Sequence, residues 1–179
     1  MRYTIVGLVL ILTSFMALAE NVVVRSYELQ KHGTFELKVP ASWRDYVAQP
    51  PGGLPPTITL SPKMGAKFQI LVTPVWPARA DVKSPTPDKL RASVRRAADI
   101  AVQQSVEKSI EVKELKGSAN TGYYFAATDR APQPGEFKYI NQGVIAVNDL
   151  GVAFTILTND GQDAIVKEAL SLLSSAERR

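Results

Sequence analysis

The sequence predicts an α+β fold in which a mostly antiparallel sheet of about six to eight strands packs with two main helices. Two observations carry this prediction. Strand-like runs occur in consecutive groups joined by short turns, which favours hairpins over βαβ units. Two other segments have apolar residues at helical spacing on one side only, which indicates helices that bury one face against a sheet.

The first strands are predicted as two hairpins. Val22–Leu29 is rich in β-branched residues, and Thr34–Val39 alternates polar and apolar side chains, as a half-buried strand does. A proline ends the second run because it has no N–H to donate, and Trp43 after it predicts a packed turn. Thr57–Leu60 and Lys67–Val72 then predict a second hairpin.

The first helix is predicted after a proline-rich crossover at Pro74–Pro87. The Thr86 hydroxyl can cap the orphan amides of the helix, and Asp88 meets the positive end of the helix dipole. Apolar and small residues at helical spacing extend this helix to near Lys108.

The second half of the chain predicts a four-strand meander and a closing helix. The four strand-like stretches are Glu111–Leu115, Gly122–Thr128, Phe137–Val147 and Val152–Thr158. The closing helix has an apolar stripe that runs from Ile165 to Ala176, so we expect this stripe to be buried against another part of the protein.

The first 19 residues predict a cleaved secretory signal peptide. Arg2 is followed by an apolar run from Ile5 to Met16, and the small residues Ala17 and Ala19 suit a signal peptidase. The run is shorter than the ~20 apolar residues of a spanning helix. We therefore expect a single domain at 20–179 with no transmembrane segment, exported to the periplasm or, alternatively, to the extracellular medium.

Composition excludes several classes of function. The chain has no cysteine and a single histidine, His32, so a disulfide framework, a thiol nucleophile and a multi-histidine metal site are ruled out. A catalytic role for His32 would need serine or carboxylate partners brought from elsewhere in the chain. Signal removal takes away one basic residue and no acid, which leaves 20 Lys and Arg against 17 Asp and Glu. This mild excess does not predict a nucleic-acid binder. No glycine loop, calcium loop or cofactor motif is present.

The stretch "GTFELKVPASW", Gly33–Trp43, resembles the opening of the PsbP-like and DcrB-like proteins. The element order is similar to theirs over nearly all of the predicted mature chain. The resemblance implies an α/β sandwich, with an antiparallel sheet flanked by helices, and an accessory or binding role without catalysis. No binding residue of these families can be matched onto this sequence.

The densest charge feature of the predicted mature chain lies on the first helix. Its members are Lys89, Arg91, Arg95 and Arg96. Arg91 and Arg95 share a face at i, i+4, although Asp99 one turn further can offset Arg95. The cluster predicts either a docking face for an acidic protein or anionic lipid head groups, or a solvated helix face.

A second candidate site is the rim of an open sheet face. If one face of the sheet held a ligand, its rim would be formed by Trp43, Trp76 and the loop that carries Leu54. The other interpretation is that the aromatic residues belong to the hydrophobic core.

The sequence therefore favours a non-catalytic envelope or periplasmic accessory protein that binds another envelope protein. A carrier or sensor of a small apolar or lipidic ligand is the alternative, and a hydrolase with paired carboxylates is a third hypothesis. A carrier needs an apolar cavity of ~300 Å³ or more, whereas a docking protein needs an exposed patch on a filled core.

Overall fold

The computed structural model describes residues 21–77, 85–117 and 120–179. The predicted signal peptide and residues 78–84 of the predicted crossover lie outside these ranges. The strands are β1 (Val22–Glu28), β2 (Thr34–Pro40), β3 (Trp43–Ala48), β4 (Thr57–Pro62), β5 (Gln69–Val75), β6 (Lys113–Lys116), β7 (Thr121–Thr128), β8 (Tyr139–Val147), β9 (Leu150–Thr158) and β10 (Glu177–Arg178). The helices are α1 (Pro87–Ala101) and α2 (Asp163–Ser174).

The described strands form two antiparallel sheets. The large sheet has seven strands in the order β3-β4-β5-β9-β8-β7-β6, and the small sheet has three in the order β1-β2-β10. Every pair of described strands is antiparallel. Most of these pairs join strands that follow each other along the chain, as hairpins do, whereas β5 with β9 and β2 with β10 pair across long stretches of sequence. The predicted α+β class is confirmed, with two strands more than the upper end of the predicted range, since β3 and the two-residue β10 were not predicted.

The main core lies between the large sheet, the small sheet and α2. Alternate residues of β4, β5 and β9 point into it, so that Ile58, Val72 and Ile156 are fully buried. The predicted stripe of α2 packs here through Leu172, which is 4% exposed, and Leu173, which is fully buried.

An ion pair and hydrogen bonds connect β1 of the small sheet to β3 of the large sheet. Arg25 of β1 forms an ion pair with Asp45 of β3 and donates to the Trp43 carbonyl at 2.7 Å. The Tyr27 hydroxyl donates to the same carboxylate at 3.0 Å. Burial raises the pKa of Tyr27 to about 12, although the nearby Arg25 acts in the opposite direction.

The first helix begins as predicted and ends early. The Lys89 amide donates to the Thr86 hydroxyl, and a proline occupies the first turn. After Ala101 the chain tightens into i to i+3 hydrogen bonds, and Ser105 forms a β-bridge with Asp129. The predicted extension to Lys108 is therefore wrong, because Ser105 is drawn into sheet-like pairing.

None of the helices in the described ranges combines the length and the apolar character that crossing a membrane requires.

Candidate functional site

One face of the large sheet is only half covered. We define the open face as the central part of this surface, formed by eight residues of β3, β4, β5 and β9 that point to the α1 side: Tyr46, Ala48, Thr57, Thr59, Leu71, Thr73, Ala153 and Thr155. A single cross-strand row shows the geometry, since Tyr46 pairs with Thr59, Thr59 with Leu71 and Leu71 with Thr155.

The covered half of this face explains why the other half is open. Phe125 and Ala127 of β7 pack against Val94 and Ala98 of α1 and form a second, smaller core. Helix α1 lies on β7 and β8, and no other described helix packs on this side of the sheet. Among the residues that the structure describes, no helix therefore lies above β3 to β5 on this side.

The open face is neutral, apolar and hydroxyl-rich. Thr59, Leu71 and Thr155 are half-buried, whereas Tyr46 is 69% exposed. The Thr57 and Thr73 hydroxyls lie 2.9 Å apart and bond to each other. The four threonines satisfy strand propensity without charge, so the face can be desolvated at lower cost than a charged surface.

A groove of about 210 Å³ runs between α1 and the open face. Its walls include Leu71, Ala97, Phe154 and Thr155. At its floor a side chain on Gly143 would overlap the Tyr123 carbonyl oxygen, so glycine at this position lets the neighbouring strand and Phe154 pack closely.

The structure separates the four predicted basic residues of α1. At 100° per residue, Lys89 and Arg96 lie on the flank of Ser93, which lines the groove, whereas Arg91 and Arg95 lie on the opposite flank. The Arg95 guanidinium donates to the Ile110 carbonyl at 2.6 Å and pairs with Asp99 at 2.6 Å. Arg95 therefore holds the helix to the segment that follows it.

Another basic cluster lies at the β4–β5 end of the open face. We call it the basic end pocket; it is an open cavity of about 390 Å³ whose walls include Arg44, Lys63, Lys67, Met64 and Phe137. The Lys67 ammonium lies 5.5 Å from the centre of the Phe137 ring, within cation–π distance. The described residues that line this pocket include no aspartate or glutamate.

The predicted rim residues occupy three different places. Trp43 is 2% exposed and packs edge-on against Phe68 in the main core. Trp76 packs against the same core and stacks on His32 with ring centres 4.3 Å apart. Leu54 is 57% exposed on its loop. Both tryptophans thus make packing contacts with the main core.

The carboxylates give little support to hydrolytic chemistry. Glu107 and Asp163 line a common cavity of about 190 Å³. Burial acts to raise the pKa of Glu107, but hydrogen bonds from the Thr128 amide and hydroxyl, at 3.0 and 2.7 Å, outweigh it and lower the pKa. A general acid needs the opposite shift. Within the described ranges no group of three or more His, Asp or Glu residues could hold a metal ion.

Sequence reasoning missed the basic end pocket and most of the open face. The stretch Trp43–Ala48 has no polar and apolar alternation, so it gave no strand signal. Arg44 and Lys67 are far apart in sequence and meet only because β3, β4 and β5 pair in register. The one available signal was the pair of lysines, Lys63 and Lys67, near the connection between the predicted strands Thr57–Leu60 and Lys67–Val72.

Comparison with protein-family models and with curated proteins gives no match. Two solved structures are similar, each at 12% sequence identity. One is a crystal structure from Bacteroides thetaiotaomicron, with a TM-score of 0.47. The match covers 81% of this chain, but this chain spans only 45% of the length of that one. The other is the solution structure of cyanobacterial PsbP from Synechocystis sp. PCC 6803, with a TM-score of 0.49, covering 92% of this chain and 96% of that one.

The layout that the sequence resemblance implied, an antiparallel sheet with helices packed on it, is found in the structure itself. No site, activity or partner passes from the two similar structures to this chain.

Proposed function

We propose that this protein is an exported, non-catalytic accessory protein of the cell envelope that binds another protein through the open face. The observation that carries the proposal is that no helix of the described residues covers β3, β4 and β5 on this side, which leaves Tyr46 and Leu71 accessible on a filled core. A face that is neutral and partly apolar, with cations at its edges, has the make-up of an interaction patch.

The size of the open face favours a protein segment as the partner. The seven residues of β5 span about 20 Å, and four strands span about 15 Å between the outer axes. The product, about 300 Å², is well below the ~800 Å² that each partner buries in a standard interface. The partner therefore inserts one element onto the face and makes its other contacts at the rim.

A carrier of a small apolar ligand is the second candidate. Phe125, Val94 and Leu71 give the groove beside α1 an apolar lining that suits such a ligand. However, its volume of about 210 Å³ falls short of the ~300 Å³ at the lower end of small-molecule sites. Docking of a protein segment therefore agrees better with the geometry.

Export rests on the n, h and c pattern of residues 1–19. We infer a periplasmic location from it, with the extracellular medium as the other compartment. Mass spectrometry of the N-terminus of the protein recovered from cells tests this step, since a chain that begins at Glu20 is expected and a chain that retains residues 1–19 would overturn it.

A photo-reactive amino acid at Tyr46, introduced into the full chain in the cells that make it, tests the docking surface. Its matched control is Val47, which is 41% exposed on the next position of β3 and points to the other side of the sheet. We expect a discrete protein adduct at Tyr46 and little at Val47. Equal adducts at both positions, or none at either, would contradict the proposal.

A further inference from the structure

The open face has room for one helix beside α1. Two packed helices lie ~8–10 Å apart, and a helix with its side chains is ~10–12 Å wide, which fits a face about 15 Å across. The flank of α1 that borders the groove presents Ser93 and Ala97, whose small side chains allow a second helix to approach closely. An extended strand could not pair on this face, since every strand beneath it already has its partners except along the β3 edge.

The β3 edge itself is partly blocked. The Arg25 guanidinium donates to the Trp43 carbonyl, which is therefore not free to pair with another strand, and the edge carries the charged residues Arg44 and Asp45. Both are features by which edge strands avoid pairing with other chains. A helix lying on the open face is thus favoured over a strand added to its edge.

The cations around the open face indicate what charge a partner helix on this face would carry. Lys89 and Arg96 project from the groove-side flank of α1, and Arg44, Lys63 and Lys67 line the basic end pocket. None of these five forms an ion pair with a carboxylate of the described residues. Five cations without an ion pair among the described residues, placed around a neutral face, complement an acidic partner.

We propose that the partner presents one amphipathic helix with an acidic flank, which lies beside α1 with its apolar stripe on Leu71 and Thr155 and its acidic flank against Lys89 and Arg96. The C-terminal end of this helix points to the basic end pocket, because the carbonyl end of a helix dipole is negative and favours cations. This inference rests on the proposed docking function and names the chemistry of its partner.

The test identifies the segment that is cross-linked at Tyr46 and measures how its yield depends on charge. Digestion and sequencing of the adduct should give a segment with apolar residues at i, i+3, i+4 and i+7 and acidic residues beside them. The double variant Lys63→Glu, Lys67→Glu should lower the adduct yield about tenfold. The control is Lys31→Glu, Lys113→Glu, which changes the net charge equally at two other exposed lysines and should leave the yield unchanged.

The outcomes separate the two proposals. Absence of any protein adduct at Tyr46 would overturn the docking function itself. A specific adduct whose segment is basic or extended, or whose yield falls equally in both double variants, would overturn the acidic helix and leave docking intact. Sedimentation of the wild-type protein with phosphatidylglycerol vesicles, lost on reversal of Lys63 and Lys67, would instead assign the basic end pocket to lipid head groups.

Discussion

Replacing Arg95 by alanine should destabilise the fold, whereas the same change at Arg91 should not. Both arginines lie on α1 at i, i+4, and both were predicted as parts of one docking face. Arg95 donates to the carbonyl of Ile110, which is 4% exposed, and pairs with Asp99. Arg91 is exposed and makes no ion pair with a carboxylate of the described residues.

The expected magnitude follows from these two contacts. A hydrogen bond that involves a charged group contributes ~1.5–3 kcal/mol, and the lower part of that range applies because the Arg95 side chain is 40% exposed. The exposed pair with Asp99 adds ~0.3–0.5 kcal/mol. Arg95→Ala should therefore cost about 2 kcal/mol, which lowers the Tm by about 4–8 °C in a domain of this size.

Urea denaturation followed by circular dichroism measures the effect, with Arg91→Ala as the matched control at under ~0.5 kcal/mol. The variant Asp99→Ala, alone and combined with Arg95→Ala, isolates the ion pair in a double-mutant cycle. Equal unfolding free energies for Arg95→Ala and Arg91→Ala would refute the assignment of Arg95 to the helix–loop contact and return it to the docking face.

Three further changes test the core and the titrating groups. Leu172→Ala should cost ~2–5 kcal/mol in urea denaturation, since the side chain is 4% exposed in the main core; a loss below ~1 kcal/mol would mean that α2 is loosely packed. Glu107 has a lowered pKa, so its contribution is present above the ordinary Glu pKa and is lost as the pH falls through the folded value. Glu107→Gln should therefore be less stable than the wild type at neutral pH, with a difference that shrinks in acid; a constant difference would contradict the Thr128 assignment. Tyr27 has a pKa raised to about 12. Its contribution to stability is therefore fully present below the ordinary Tyr pKa and is lost as the pH rises from there toward about 12. Tyr27→Phe, which also loses the hydrogen bond to Asp45, should show a smaller decline in stability between about pH 10 and 12, and an unchanged decline would refute the role of burial.

The sequence predicted the elements whose pattern is local. Period-two alternation located β2, and the Thr86 cap located the start of α1 within one residue. The closing helix was predicted from its stripe, and burial of Leu172 and Leu173 confirms that it packs on the core. The antiparallel sheet followed from short connections, since hairpin partners are neighbours in sequence.

What the sequence could not predict depends on non-local pairing. Strand β3 lacks alternation because it is an edge strand, exposed on most of its residues. The division of the α1 cations into two flanks required knowledge of which side of the helix meets β7. The contact between Arg95 and Ile110 depends on the path of the chain after α1. This path could not be predicted, because the helix ends at Ala101 and not near Lys108.

The most direct test of the docking surface is native mass spectrometry of the mature protein captured gently from its own envelope fraction, compared with the variant Thr59→Glu. Thr59 lies in the centre of the open face, so a charge there should block an inserted segment, while Ser171→Glu on the exposed side of α2 is the control. We expect a co-purifying protein mass with the wild type and with Ser171→Glu, and its loss with Thr59→Glu at a nearly unchanged Tm. A co-purifying small molecule, or a protein partner retained by Thr59→Glu, would contradict the account.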